Sequence, residues 1–285
     1  MRKTMAVLGG DMRQVYLADL LLEDGWDVVT WGLEKGYGPN SVELGRAVEQ
    51  EILILPLPVC RGKQLHLPLS ETQLAGDRLW SRIPYQKLLL GGLAGELKGR
   101  LMKDYGLTLV DYYQREELQV ANAAATAEGA IGRAMEETRH TLLGRDCLVI
   151  GFGRIGKLLA RRLHGLGARV TVTARRYDDL AWAGALGYRS LRTGDMAGRL
   201  GGFSVICNTV PARVLEGKLL AETDQDCVLL ELASAPGGID PEAARLLERK
   251  LIQVPGLPGI VAPQTVAEAL RDTIYHILEE RGETI

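Results

Sequence analysis

Residues 146–176 read DCLVIGFGRIGKLLARRLHGLGARVTVTARR, and this stretch decides the fold. Cys147 to Ile150 is a short apolar run of the kind that forms a buried parallel strand. Gly151, Gly153 and Gly156 then give G-x-G-x-x-G at a turn. Leu158, Leu159, Arg162, Leu163 and Leu166 continue at helical spacing, Gly165 and Gly167 close that helix, and Arg169 to Thr173 reads as a second strand. A bare glycine triplet is weak, but inside a complete strand–turn–helix–strand unit it predicts a Rossmann dinucleotide site. The first glycine allows the tight turn, the second lets backbone approach a pyrophosphate, and the third permits close helix–strand packing. The helix N-terminus, with Arg154 and Ile155 in its first turn, offers free N–H groups and a positive dipole end to phosphates.

The end of the second strand bears on which dinucleotide. A site for NAD usually carries Asp or Glu there, to bond the ribose 2′-hydroxyl. Here Ala174 holds that place, followed by Arg175 and Arg176. Nothing at that position repels a 2′-phosphate, and an arginine can grip one bidentately, so NADP is expected rather than NAD. A solvated surface pair is the plain alternative reading of the two arginines.

With 285 residues, 46% hydrophobic and 25% charged, the chain is long enough for two domains of an ordinary globular protein. A net charge of −2 gives no electrostatic case for nucleic acid or an anionic membrane. The apolar run Met5 to Leu8 is too short for a signal-peptide core, and no stretch approaches transmembrane length. Cys60, Cys147, Cys207 and Cys227 have no metal-ligand spacing. They read as reduced cysteines of a cytoplasmic protein without a metal site.

The N-terminal half alternates strand and helix: Thr4 to Leu8, Asp27 to Trp31, Glu51 to Leu55, Lys87 to Leu90 and Leu107 to Val110 read as strands. Helices are expected after Gly9-Gly10-Asp11-Met12-Arg13-Gln14, over Ser41 to Val48, from an N-cap at Ser70 to about Arg82, and around Ala94 to Lys103. Five strands with intervening helices fit a flavodoxin-like doubly wound domain. Residues 117–140 form a long Ala- and Gly-rich helix suited to passing between domains. The remaining Rossmann strands are expected near 188–190, 203–207, 227–232 and 251–254. After a Pro/Gly-rich loop, Pro255 to Pro263, a last helix carries Val266, Ala269, Leu270, Ile274, Ile277 and Leu278 as one stripe. That stripe needs cover, and a return to the N-terminal domain supplies it. The expected division is therefore 1–118 plus 265–285, and 119–264.

Ligands in open α/β sheets bind beyond the carboxyl ends of strands. This makes Asn208-Thr209-Val210-Pro211 candidates for the nicotinamide end of the cofactor, and the loop from Ala233 to Gly238, with Ser234, a candidate for substrate. In the N-terminal domain Asp11, Arg13 and Gln14 open a helix at a strand end, where Arg13 could hold a substrate carboxylate or Asp11 could merely cap. Asn122, Thr126 and Glu128 come from the long helix, though a helical glutamate is commonly a solvent-facing charge. Thus Asp11, Arg13, Asn122, Glu128 and Ser234 are catalytic candidates, and Asp11, Arg13, Gln14, Thr126 and Ser234 substrate-binding ones. His66 lies in a loop and reads as structural or exposed.

These residues resemble the dipicolinate synthase A-chain family over nearly the whole chain. The resemblance rests on GGDMRQ (9–14), NAAATAEGAI (122–131), LVIGFGRIG (148–156), VTVTARR (170–176), ICNTVPA (206–212), ELASAPGGID (231–240) and GLPGIVAPQT (256–265). The glycine fingerprint is widely shared, whereas TAEGAI, SAPGGID and LPGIVAP together are specific. One departure is Ala125, where the family leads one to expect proline before TAEGAI. The resemblance implies NADP-dependent oxidation of dihydrodipicolinate, a small dicarboxylate, during spore formation. It also implies a hetero-oligomer with the flavoprotein-like B-chain of dipicolinate synthase. Two other readings stay open on the residues alone: an NADP-linked 2-hydroxy- or 2-amino-acid dehydrogenase, and a nucleotide-binding scaffold protein that does no chemistry. The dehydrogenase reading lacks a strand-end His–Glu pair for acid–base work.

Overall fold

Short apolar runs build two separate parallel sheets in this computed structural model, which describes residues 4–36 and 40–283. The chain divides into one unit of residues 1–121 with 262–285, and a second of residues 122–261.

The first unit holds β1 (Met5–Leu8), α1 (Met12–Glu23), β2 (Val28–Trp31), α2 (Leu44–Ala47), β3 (Ile52–Ile54), β4 (Cys60–Arg61), β5 (Gln64–Leu65), α3 (Gly76–Trp80), β6 (Leu88–Gly91), α4 (Leu97–Tyr105) and β7 (Leu109–Asp111). The sheet order is β2-β1-β3-β6-β7, all parallel, the flavodoxin-like winding. Both faces are covered, which is why these strands are apolar at nearly every position. Met5 and Val7 of β1 enter one core while Ala6 and Leu8 enter the other.

Two helices are shorter than their sequence patterns predict. The helix expected from Ser70 begins only at Gly76, because residues 74–76 are drawn into extended pairing. Leu65 N bonds Leu74 O, and Gly76 N bonds Lys63 O, beside the β4–β5 hairpin. Ser70 instead caps a local turn, its hydroxyl accepting from Thr72 N at 3.0 Å. The helix expected over 41–48 contracts to Leu44–Ala47, since Ser41 and Val42 extend along Thr30 of β2.

Helix α5 (Glu116–Glu137) carries the chain from the first unit into the second. There follow β8 (Asp146–Ile150), α6 (Arg154–Gly165), β9 (Arg169–Ala174), α7 (Tyr177–Ala185), β10 (Arg189–Arg192), β11 (Val205–Asn208), α8 (Gly217–Ala221), β12 (Val228–Glu231), α9 (Pro241–Leu246), β13 (Lys250–Gln253) and α10 (Leu257–Val261). The order β10-β9-β8-β11-β12-β13, all parallel, is that of a complete Rossmann sheet.

The segment expected to be a Pro/Gly-rich loop contains α10. A Cβ on Gly129 of α5 would lie 2.9 Å from Val261 and 3.2 Å from Leu257, so the glycine lets α10 seat on α5. Helix α11 (Pro263–Glu280) belongs to the first unit, where Ala267, Leu270, Ile274, Ile277 and Leu278 join Leu17 and Leu21 of α1 in one core. Among the described residues no helix is long and apolar enough to cross a membrane, and no cluster of His, Cys, Asp or Glu could hold a metal ion.

Candidate functional site

The Rossmann sheet delivers its strand-end residues to one carboxyl edge. Gly151, just past β8, has φ +98°, a conformation that side chains disfavour. A Cβ there would stand 2.5 Å from the Thr209 hydroxyl and 2.8 Å from Val210. A Cβ on Gly156 would overlap the Gly151 carbonyl, so this glycine is what lets α6 start directly behind the strand. Gly153 differs from both. It is the N-cap of α6, has no side chain to cap it, and among the described residues nothing beyond its chain neighbours packs within 4 Å of where its Cβ would be. The first and third glycines are thus fixed by the protein's own packing, while the second leaves an open surface at a helix N-terminus. That combination fits a pyrophosphate group, which the first-turn backbone N–H groups of Gly153, Arg154, Ile155 and Gly156 could hold.

Thr209 closes the other side of this turn. Its N–H and its hydroxyl both donate to Ile150 O at 2.9 Å. Asn208 is completely buried, and its side-chain NH2 donates to Val210 O at 2.9 Å and to Glu231 Oε1 at 2.7 Å. Its amide therefore shapes the Thr209-Val210-Pro211 segment rather than facing a ligand. Glu231 is a site residue that sequence reasoning misses. Its carboxylate is buried and also accepts from Ala233 N at 3.0 Å and from Gly238 N and Ile239 N at 2.8 Å. The available signal is an acid ending the apolar run CVLLEL, since a charge at such a position must find partners. Ser234 is exposed in the loop that Glu231 holds, with its carbonyl accepting from Gly237 N.

At the end of β9, Ala174 is buried and Arg175 and Arg176 are exposed. The two arginines are not equivalent. Arg176 folds onto its own helix, bidentate on Asp178 at 3.0 and 2.5 Å and 3.2 Å from Asp179. Arg175 makes no hydrogen bond or ion pair among the described residues. Arg192, ending the neighbouring β10, pairs in register with Ala174, and nothing in the local sequence signals it.

On α5, Thr126 is buried and its hydroxyl donates to Asn122 O at 2.8 Å. Glu128 is exposed and ion-paired to Arg162 of α6 at 2.8 Å, which fastens α5 to the Rossmann helix.

In the first unit a capping box opens α1: Asp11 Oδ1 accepts from Arg13 N, and Gln14 Oε1 accepts from Asp11 N, both at 3.1 Å. The Arg13 guanidinium is nearly buried, bidentate on Asp11 at 2.9 and 2.8 Å, with Nη2 also donating to Leu57 O at 2.6 Å. It ties the first turn to the loop after β3, and Nη1 makes no hydrogen bond among the described residues. His66 is buried rather than exposed, and its carbonyl accepts from Gly10 N at 3.0 Å. Burial, reinforced by Arg61 and Arg13 against an opposing pull from Asp11, lowers its pKa below 6.5.

A family profile for the N-terminal domain of the dipicolinate synthase A-chain matches residues 4–113. The dipicolinate synthase A-chain of Bacillus subtilis (strain 168) is 30% identical over 285 residues, covering 97% of this chain and 96% of that protein. The crystal structure of the corresponding dipicolinate synthase protein from Bacillus halodurans is similar at a TM-score of 0.86 and 29% identity, over 97% of each chain. A transhydrogenase from Sinorhizobium meliloti shares the fold at a TM-score of 0.74 and 16% identity, over 98% of this chain and 94% of that one.

Proposed function

The chain belongs to the dipicolinate synthase A-chain family, and on that premise we propose that it oxidises dihydrodipicolinate to dipicolinate (pyridine-2,6-dicarboxylate) with NADP. It does so during spore formation in the cytoplasm, in a hetero-oligomer with the flavoprotein-like B-chain of the synthase. The observation that carries the reading is the glycine turn after β8, whose second glycine is open while the first and third are packed shut.

Bound there, NADP supplies the hydride acceptor, and the ring gains aromaticity as it loses a hydride and a proton. The protein's work is then chiefly to hold a small dianion in one orientation. Gly151 to Gly156 take the pyrophosphate, Arg175 takes the 2′-phosphate, and Thr209, Val210 and Pro211 wall the nicotinamide end. Arg13 is the first choice for a substrate carboxylate, because Asp11 and Leu57 O already fix its guanidinium and Nη1 is left over. Gln14, Asn122, Thr126 and Ser234 are further candidates for contact.

Incubating the purified chain with dihydrodipicolinate and NADP, with and without the flavoprotein-like partner, and following pyridine and NADPH absorbance together tests the reading. Equal appearance of both products is expected. Tight NADP binding with no turnover in either mixture would make the chain a non-catalytic nucleotide-binding protein.

A further inference from the structure

We propose that Arg192 is a specificity-determining residue of the nucleotide site: with Arg175 it clasps the adenosine 2′-phosphate. The inference rests on the NADP reading above and names the second cation of that site.

Three observations place it there. Arg192 is the last residue of β10 and the register partner of Ala174, the last residue of β9. Neighbouring strands run about 5 Å apart, so the two chain ends leave the sheet side by side at its carboxyl edge. Arg175 follows Ala174 directly, and its charge is unpaired among the described residues. Finally, Arg192 is held in position: its Nη1 donates to the Tyr177 hydroxyl at 3.0 Å, and its guanidinium carbon stands 5.0 Å from the centre of that ring. Those contacts engage one nitrogen and one face of the guanidinium, leaving its remaining donors for an anion.

Arg176, by contrast, is occupied by Asp178 and Asp179. Its part at this corner is indirect, since it neutralises two carboxylates that would otherwise repel a phosphate. The basic pair across the strand ends is therefore Arg175 and Arg192, not the sequence neighbours Arg175 and Arg176.

Adenosine 2′,5′-bisphosphate and 5′-AMP, which differ only in the 2′-phosphate, serve as probes by titration calorimetry. The wild-type chain should bind the bisphosphate more tightly. Arg192→Gln should cost about tenfold in bisphosphate affinity and leave 5′-AMP unchanged, which also reports an intact fold. Arg192→Lys should recover part of the loss, and Tyr177→Phe, which removes only the tether, should cost less than Arg192→Gln. If Arg192→Gln keeps full discrimination while Arg175→Gln abolishes it, the inference fails and the NADP reading stands. A wild type that binds both probes equally overturns both. Discrimination that depends on Arg192 in a chain with no dihydrodipicolinate turnover supports the clasp and sinks only the proposed reaction.

Discussion

Asn208 and Glu231, register partners at the ends of β11 and β12, are joined by a 2.7 Å hydrogen bond from Nδ2 to Oε1. Glu231 is a buried carboxylate whose partners among the described residues are this amide and three backbone N–H groups, with no cation among them. Four donors converging on two oxygens stand in for a counter-charge, and in doing so they pin the loops after both strands.

Glu231→Gln should therefore destabilise the Rossmann unit by about 2 kcal/mol, because the new NH2 must face a donor on at least one side. Urea denaturation reads the loss. NADP affinity should drop with it, since the Thr209–Pro211 segment loses its support. Unchanged stability would mean that the loops are fixed by packing alone.

The glycines of the turn should separate folding from binding. A Cβ at Gly153 meets no packed neighbour, so Gly153→Val should cost no more than about 1 kcal/mol, that of a poorer N-cap residue, while abolishing NADP binding. Gly156→Ala collides with the Gly151 carbonyl and should cost roughly 1–3 kcal/mol of stability. Circular dichroism melts beside cofactor titrations distinguish the two, and a Gly153→Val protein that binds NADP normally would remove the pyrophosphate from this turn.

Arg175→Ala should lower NADP affinity ten- to a hundred-fold, about 1.5–3 kcal/mol, and leave NAD affinity alone. Arg176→Ala should have a smaller effect, exerted through the released Asp178 and Asp179. Equal binding of the two cofactors by the wild type would contradict the assignment.

Arg13→Ala should depress turnover by at least about tenfold without changing NADP affinity, because every residue assigned to the cofactor lies in residues 122–261. Removing it also takes the guanidinium partner from Asp11 Oδ2 and from the Leu57 carbonyl, so stability must be measured alongside. Normal turnover would move the carboxylate grip elsewhere, with Ser234 and Asn122 the next positions to replace.

His66 gives a pH dependence with a definite sign. Its folded pKa lies below 6.5 through burial and the neighbouring Arg61 and Arg13 cations, so as pH falls the unfolded chain takes up a proton first. Its contribution is complete above about pH 6.5 and declines below it until the folded histidine also titrates. Urea midpoints compared between about pH 8 and pH 5 should fall more steeply for the wild type than for His66→Gln.

What the sequence discloses is what is local. The strand–turn–helix–strand unit around Gly151 to Gly156 is legible because each glycine acts on residues a few places away. The role of Glu231 is harder to read, since three of its partners are near in sequence but the fourth depends on the pairing of β11 with β12. Arg192 beside Ala174 is invisible without the register of β9 and β10. Ser70 shows the opposite failure: its side chain does what a capping residue does, but hairpin pairing of residues 74–76 withholds the helix. Pro255, Gly256, Pro258 and Gly259 read as loop, whereas contact of Leu257 and Val261 with Gly129 makes a helix worthwhile over five residues.

The placement of α11 also sets a schedule for biosynthesis. Strands β1 to β7 leave the ribosome well before the helix that shares a core with Leu17 and Leu21 of α1. The Rossmann unit, contiguous from 122 to 261, can finish while its elder neighbour still carries an uncovered apolar helix face. The nascent first unit thus waits with that face open until Pro263 to Glu280 have been made, and a premature stop before Ala262 would leave it open for good.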